Sequence, residues 1–422
     1  MGGFGFRRKG NDLKLFTPRM PPDVYRFIRE KVHTALRQRF LIVASPIENP
    51  AKNDYGDVDV LVCWDTTGRL NEYNNAQELR KSLSAGDLDS LMLLTEASHI
   101  LIERKHNSTV QLAIPWSESF PVSIAKGVPH PLAQIDLHIC LSLEDFEWQL
   151  FQFSHGDIFW FLHTMVRPFG LTLGVDGLQL RIEEIEDETN DHEILLSREP
   201  SKVLEFLGLR SEGQEWDRPF ESCDALFEYA STCRFFCNFG DDNISDADHK
   251  RMKCKLCDWP WLGPSARNKL LTPIIARKVY KTWVKEFVPK CRQEERFHKH
   301  VPSRKQVRKE AMNFFLGPRL LKLSSNDKIL TLVPSVQQGY HARILAFRKD
   351  QQIDFYSRVI QPYVYQCVPK VYSVNWLGNT ARAFESIVME DDHSYGIRSL
   401  KPLKTEDGLY LEPDVREFIR AS

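Results

Sequence analysis

Alternating apolar and polar residues define two strands in the first third of the chain. Residues 57–60 read Asp57-Val58-Asp59-Val60, and residues 134–140 alternate in the same way around Asp136. Successive side chains of a strand point to opposite faces of its sheet. Asp57 and Asp59 therefore share one face, and the valines share the other. The pattern predicts two strands, each with an apolar core face and carboxylates on its open face.

The second strand is predicted to have three apolar residues on one face and three polar residues on the other. Its predicted core face consists of Ile135, Leu137 and Ile139. Its predicted open face consists of Gln134, Asp136 and His138. A third carboxylate is thus expected on a strand, about eighty residues after the first two.

Helical periodicity dominates the rest of the chain. The elements predicted before residue 142 are a helix at 21–40, a strand at 40–44, helical segments at 77–83 and 88–94, and strands at 100–104 and 109–114. The later predictions are helices at 143–153, 157–166, 200–207, 223–236, 273–287, 304–315 and 337–359, a hairpin at 171–181, and polar linkers at 184–193 and 293–303. The fold class expected is α+β, with a mixed-sheet N-terminal domain followed by a mainly helical C-terminal domain.

A length of 422 residues fits two or three domains. We predict a flexible tail at 1–20, a catalytic α/β domain at 21–142, a helical domain with the hairpin at 143–290, and a mostly helical region at 291–422 that is basic at its start.

Composition and the distribution of apolar residues indicate the cellular location to expect. Apolar residues make up 42% of the chain, which is typical of a globular protein. No apolar run is long enough to span a bilayer, and the N-terminus lacks the apolar core of a secretory signal. Nine scattered cysteines favour reduced thiols over a disulfide framework, so no disulfide-linked partner is expected. We expect an intracellular protein, cytoplasmic or nuclear, without a membrane partner.

The net charge of −1 hides an asymmetry between two blocks. Residues 142–250 contain 24 Asp and Glu against 8 Lys and Arg, whereas residues 251–322 contain 19 Lys and Arg against 5 Asp and Glu. The basic block could bind RNA, or it could dock on the acidic block of its own chain. The pattern leaves both interpretations open.

Three carboxylates on strands suggest a specific chemistry. Carboxylates fixed side by side repel each other unless a cation lies between them. Oxygen ligands at this density hold Mg²⁺ or Mn²⁺, which in turn bind the phosphates of a nucleotide. The simpler alternative is a turn followed by a strand whose exposed face is acidic.

The order of these residues resembles the nucleotidyltransferase superfamily of the polymerase-β type. That pattern is an apolar residue, a small residue and Ser, then Asp-x-Asp after about ten residues, and a later lone Asp. It corresponds here to Val43-Ala44-Ser45, Asp57-Val58-Asp59 and Asp136. The resemblance implies that Asp57, Asp59 and Asp136 are the catalytic and metal-binding residues. It also implies that Ser45 binds a phosphate of the NTP substrate, from which a nucleoside monophosphate passes to a hydroxyl with release of pyrophosphate.

The chain between residues 18 and 240 is also similar to a group of fungal proteins that contain this domain. The similarity includes Ser45-Pro46-Ile47-Glu48 and Lys52-Asn53-Asp54-Tyr55-Gly56-Asp57. Lys52 is a further candidate for nucleotide binding, or else a solvated loop lysine. The superfamily has glycine where this chain has Ala44, and alanine fits there without strain only if its φ angle is negative.

Two other hypotheses concern binding rather than catalysis. Cys233, Cys237, Cys254 and Cys257 have spacings that suit a four-thiolate zinc site, although the first two also fit the apolar side of a helix. The main alternative to an enzyme is a catalytically silent nucleotidyltransferase fold that binds RNA or protein.

Overall fold

Residues 6, 15–50, 52–70, 83–102, 109–117, 119–120, 130–186, 192–210, 215–237, 278–315, 336–367, 374–392, 394–399 and 401–422 are described by the computed structural model. They form two compact units. The larger contains Met1–Leu180 and Leu195–Phe315, and the smaller contains Arg181–Ile194 and Leu316–Ser422. The predicted segments 21–142 and 143–290 thus fall largely in one unit.

A five-stranded mixed sheet is the centre of the larger unit. Its strands are β1 (Phe40–Ala44), β2 (Asp57–Asp65), β3 (His99–Ile102), β4 (Thr109–Pro115) and β5 (Leu132–Cys140), in the spatial order β1-β2-β5-β4-β3. Strands β2 and β5 are parallel, and every other neighbouring pair is antiparallel. The predicted mixed sheet is confirmed. The ends of β1, β3, β4 and β5 lie within two residues of the predicted ones, whereas β2 continues to Asp65, beyond the alternating residues 57–60.

Two helices cover the apolar face of this sheet. They are α1 (Pro22–Leu36) and α2 (Ala85–Thr95). Helix α1 begins with a proline, which lacks the amide hydrogen that the first turn leaves unpaired. Its residues Ile28, Val32 and Leu36 recur every fourth position and are fully buried. They join the valines of β2 and the isoleucines of β5 in one hydrophobic core.

The rest of the larger unit is mainly helical. Its helices are α3 (Leu143–Phe153), α4 (Ile158–Val166), α5 (Pro200–Phe206), α6 (Cys223–Ser231), α7 (Lys278–Thr282), α8 (Val288–Gln293) and α9 (Arg304–Phe314), with a 3₁₀ turn at Arg167–Phe169 and a π turn at Trp283–Phe287. Trp283 is buried and stacks on Phe161, so it belongs to the core.

The predicted hairpin is part of a three-stranded sheet. Its strands are β6 (Leu171–Gly174), β7 (Gly177–Arg181) and β8 (Glu193–Ser197), in that order. Strand β8 was not predicted, because the charged residues before Glu193 indicated a linker that continued to that position. The five-residue run is too short to show strand periodicity by itself.

The predicted helix at 223–236 ends five residues early, at Ser231. The side chains of Ser231 and Thr232 donate hydrogen bonds to the carbonyl groups of Glu228 and Tyr229. Such bonds compete with the helical pattern. The following residues Phe235 and Phe236 are buried in a turn rather than in a helix.

The smaller unit is helical around its own core. Its helices are α10 (Val336–Phe355), α11 (Gln361–Cys367), α12 (Val374–Glu390) and α13 (Glu412–Ala421), with a π turn at Tyr356–Ile360. Ile360, Val364, Ala381 and Val415 are fully buried in this core. The predicted helical nature of the C-terminal region is confirmed for the described residues.

Several further expectations can be compared with the described residues. None of the helices in the described ranges is long and apolar enough to cross a membrane. The seven described cysteines are all free thiols. Within the predicted tail, Met20 is buried and exchanges backbone hydrogen bonds with Tyr55. The predicted helical segment at 77–83, apart from its last residue, lies outside the described residues.

Candidate functional site

The parallel pairing of β2 with β5 brings the predicted carboxylates together. Asp59 lies directly beside Asp136, and Asp57 lies beside Gln134. Neighbouring strands are about 4.8 Å apart, and residues paired in register point to the same face. Asp57, Asp59 and Asp136 therefore occupy one face of two adjacent strands. The face opposite is the hydrophobic core.

The face that carries the carboxylates is half covered. Further along the strands it becomes apolar, with Leu61, Cys63 and Cys140. Helix α3 packs on this apolar part through Phe146, Leu150 and Phe153, which form a second, smaller core. The open face predicted for β5 is thus less exposed than expected. Gln134 and His138 are buried, and the His138 ring lies 4.9 Å from the ring of Phe153 in α3, whereas Asp136 is half-buried.

Gln134 and His138 contact two of the carboxylates. The Gln134 amide donates a hydrogen bond of 2.8 Å to Asp136 Oδ1. His138 Nε2 lies 3.2 Å from Asp59 Oδ1, and its Nδ1 lies 3.2 Å from the hydroxyl of Thr109. Among the described residues, no three His, Cys, Asp or Glu side chains are already arranged as ligands around one point. Ligation by all three carboxylates would require side-chain rotations.

Asp136 has a perturbed pKa. Burial, together with the negative charges of Asp57 and Asp59, raises the pKa of its carboxyl to about 7. The hydrogen bond from Gln134 and the nearby His138 lower this pKa, but by less. A like charge next to a buried carboxylate favours its protonated form. A cation at this position would favour the ionised form instead. The donor set therefore suits a hard divalent cation, although the positions of the side chains must adjust.

Ser45 lies just beyond β1, on the side of the sheet next to β2. Ala44 pairs with Leu61, which is two residues after Asp59. The Ser45 hydroxyl shares a 2.8 Å hydrogen bond with His33 Nε2. Burial, with Arg37 and Arg29 nearby, lowers the pKa of His33. A neutral imidazole can be either donor or acceptor, so His33 fixes Ser45 without adding charge.

Ala44 itself is not strained. It belongs to β1, and the described residues other than glycine that have positive φ do not include it. The missing glycine therefore adds no conformational cost at this position. Only the methyl group distinguishes the loop from the glycine form.

The loop after Ser45 is fixed to the residues that follow α3. The Ile47 amide donates to Ser154 Oγ, and the Ile47 carbonyl accepts from the His155 amide at 2.6 Å. Gly156 has φ +68°, and a Cβ there would lie 2.7 Å from Nδ2 of Asn49. Only glycine fits this close approach, so the turn and the loop form one rigid support.

Lys52 has a partner within its own loop. Its ammonium group pairs with Glu48 Oε2, and Glu48 Oε1 accepts a 2.5 Å hydrogen bond from the hydroxyl of Tyr25. Tyr25 stacks on Tyr55 with 3.8 Å between ring centroids. Lys52 also lies 5.4 Å from the ring centroid of Tyr55. These contacts place Lys52 in a local network with Glu48 and Tyr55.

Some contributors to the site were not predicted from the sequence. Gln134 and His138 were placed on the correct face, but their contacts with the carboxylates follow from the strand register. His33 was not predicted at all, because it lies among the charged residues of α1. His155 was not predicted either; it lies in the turn before α4, has a φ of 58° and is completely buried.

The remaining binding hypotheses are only partly covered by the described residues. Cys233 and Cys237 are buried, and burial raises the pKa of both thiols. Cys254 and Cys257 lie outside the described residues, as does the basic block before residue 278. Zinc binding thus stays a hypothesis.

Comparison with known proteins gives no further guide. No family model matches the chain, and no curated protein matches it. The resemblance to the nucleotidyltransferase superfamily accordingly rests on Ser45, Asp57, Asp59 and Asp136 themselves, and the function has to be argued from their geometry.

Proposed function

We propose that this chain is a metal-dependent nucleotidyltransferase that moves a nucleoside monophosphate from an NTP to a hydroxyl acceptor. The observation that carries the proposal is the register of β2 and β5, which aligns Asp59 with Asp136 and keeps Asp57 on the same face. Helix α3 packs on the apolar part of this face through Phe146, Leu150 and Phe153. Carboxylates on rigid strands are suited to holding Mg²⁺ or Mn²⁺.

The reaction makes one bond and breaks one. The acceptor oxygen bonds to the α-phosphorus as the bond from this phosphorus to the oxygen bridging to the β-phosphate breaks. Pyrophosphate leaves with the electron pair of that bond, and the hydroxyl proton passes to a base. When bound, Mg²⁺ or Mn²⁺ would neutralise the charge that develops on the phosphate oxygens and on pyrophosphate.

The chain's own residues would act as follows. Asp57 and Asp59 would hold the metal, and Asp136 would hold it and assist loss of the acceptor proton. Ser45 would donate a hydrogen bond to a phosphate oxygen. If neutral His33 carries its proton on Nε2, it donates to Ser45 Oγ and leaves the hydroxyl proton for the phosphate. His33 would then be a positioning residue.

A second candidate function is a silent nucleotidyltransferase fold that binds RNA or protein. Its support is that polar groups of the candidate site already have partners within the chain. Gln134 and His138 hold two of the carboxylates, and Glu48 holds Lys52. The two functions differ in whether the carboxylates are needed for turnover.

Pyrophosphate release is the test that separates them. The full chain is incubated with Mg²⁺ or Mn²⁺, each of the four NTPs, and acceptors that include RNA ends, proteins and small alcohols. We expect release by the wild type, and a loss of about 100-fold or more in Asp57→Asn and Asp59→Asn, because removing a group that stabilises the transition state has effects of this order. Asp89→Asn, at an exposed position of α2, is the matched control. Absence of pyrophosphate with every acceptor would refute the proposal and leave the silent fold.

A further inference from the structure

A cavity adjoins the candidate site on the side of Ser45. Its volume is about 650 Å³, within the range of small-molecule pockets. The residues that define its character are Ser45, Glu147, Phe151, Glu199, Trp216 and Asp217. All of them belong to the larger compact unit. Ser45, which the proposed function assigns to phosphate binding, is thus also a lining residue of the cavity.

One wall of the cavity is flat, apolar and fixed. The rings of Phe151 and Trp216 have centroids 4.7 Å apart. The Trp216 carbonyl accepts a 2.6 Å hydrogen bond from His155 Nε2, and the rings of the two residues meet edge to face. Trp216 is nearly buried, with 8% of its surface exposed. A wall held in this way needs little ordering when a ring-shaped ligand packs on it.

The charge of the lining is negative. The described lining residues include three carboxylates and no Lys, Arg or His. Lys202 neutralises Glu199 through a 2.6 Å contact. Glu147 and Asp217 are exposed, and neither forms a salt bridge with another described residue. Two uncompensated carboxylates repel a triphosphate and attract a cation.

We propose that this cavity binds an organic ammonium compound with a flat apolar portion, its cationic group facing Glu147 and Asp217. The acceptor role of that compound rests on the proposed function, in which Ser45, a lining residue of the cavity, binds a phosphate of the NTP. A hydroxyl group of the same compound would supply the oxygen that bonds to the α-phosphorus, and its ammonium group would not react. The acceptor class is then a small cationic alcohol rather than an RNA end or a protein.

Binding can be tested without metal or nucleotide. The probes are three phenols of similar size, with charges of +1, 0 and −1: tyramine, 4-ethylphenol and 3-(4-hydroxyphenyl)propionate. Their affinities for the full chain are measured by ligand-observed NMR titration at pH 7.5 and low salt. We expect tyramine to bind at least about fivefold more tightly than 4-ethylphenol, and the anion to bind most weakly, because attraction to exposed carboxylates is modest but additive over two sites.

The variants are Glu147→Gln and Asp217→Asn, singly and together, with Glu144→Gln as the control. Glu144 is an exposed residue of α3 that does not line the cavity. We expect each single variant to weaken tyramine binding about two- to threefold and the double variant to abolish the preference for the cation. The affinity for 4-ethylphenol should not change.

Any one of three outcomes would overturn the inference. The first is that tyramine binds no better than 4-ethylphenol, and the second is that no probe binds at 10 mM (a ceiling on the order of weak fragment affinity). The third is that the double variant keeps the preference for the cation. These outcomes are independent of pyrophosphate release. Failure of the cavity proposal would therefore leave the proposed function standing, and the reverse also holds.

Discussion

Replacement of Asp136 by Asn should change how the protein's stability depends on pH. The Asp136 carboxyl has a pKa of about 7 in the folded chain, against an ordinary value of 3.8. A carboxyl whose pKa is raised by folding stabilises the protein while it is protonated. That contribution is complete below the ordinary pKa and is lost as the pH rises through about 7. Asparagine keeps the acceptor for Gln134 and has no proton to lose.

The magnitude follows from the two pKa values. One pKa unit corresponds to about 1.4 kcal/mol, so the difference between 3.8 and about 7 gives about 4 kcal/mol. Partial exposure of Asp136 reduces this to about 2–4 kcal/mol. We therefore expect Asp136→Asn to gain about 2–4 kcal/mol of unfolding free energy relative to the wild type between pH 4 and pH 8.

The assay is urea unfolding in metal-free buffer across this pH range. The free energies of the wild type, Asp136→Asn and the control Asp89→Asn are compared at each pH. The control should follow the wild type at every pH, because it lies on α2 and outside the site. If the difference between Asp136→Asn and the wild type is the same at pH 4 and pH 8, the carboxyl is not held among like charges, and the reasoning fails.

The same variant reports on the metal. A divalent cation must displace the Asp136 proton at pH 6, where about nine-tenths of a group with pKa of about 7 is protonated. Apparent Mg²⁺ affinity of the wild type should therefore rise about tenfold from pH 6 to pH 8. At saturating Mg²⁺ the cation should stabilise the wild type by about 2–3 kcal/mol and leave Asp136→Asn nearly unchanged. Equal stabilisation of both proteins would contradict a site that includes Asp136.

Three further predictions concern the surroundings of the site. Gly156→Ala should lower the unfolding free energy by about 2–4 kcal/mol, because the residue has positive φ and its Cβ would collide with Asn49; thermal unfolding measures this, with Gly378→Ala on an open helix surface as control. Arg39→Met should cost about 3–5 kcal/mol in urea unfolding, since it leaves Asp65 buried without its ion pair, and a loss below 1 kcal/mol would contradict this. Lys52→Met should change NTP affinity in calorimetry less than about threefold, because Lys52 pairs with Glu48 at the surface, and a tenfold loss would restore it as a phosphate ligand.

The strands could be predicted because their patterns are local. In β2 and β5 every second residue is apolar, and burial of one face requires that alternation. The strand order could not be predicted in the same way, because it depends on contacts between distant residues. Nothing near Asp59 indicates that Asp136, rather than another residue of β5, is its neighbour. That pairing follows from the parallel register.

The residues that contact the candidate site and the cavity were harder to predict than the carboxylates. His33 contacts Ser45 because α1 crosses the sheet at that point. His155 contacts Trp216 across sixty-one residues of sequence. Neither histidine lies in a pattern that distinguishes it from a surface or helix-cap residue. Strand β8 was missed for a related reason, since its five residues are stabilised by pairing in a sheet rather than by a visible period.

The raised pKa of the Asp136 carboxyl bears on the choice between the two candidate functions. Asparagine would serve a purely structural role at this position, because it accepts the same hydrogen bond from Gln134 without the repulsion of Asp57 and Asp59. About 2–4 kcal/mol is a large part of the 5–15 kcal/mol by which domains are stable. On the proposed function, a divalent cation among the three carboxylates would offset this cost, whereas the silent fold names no group that would do so. Stabilisation of the wild type by Mg²⁺ without stabilisation of Asp136→Asn would therefore favour the proposed metal-dependent function over the silent fold.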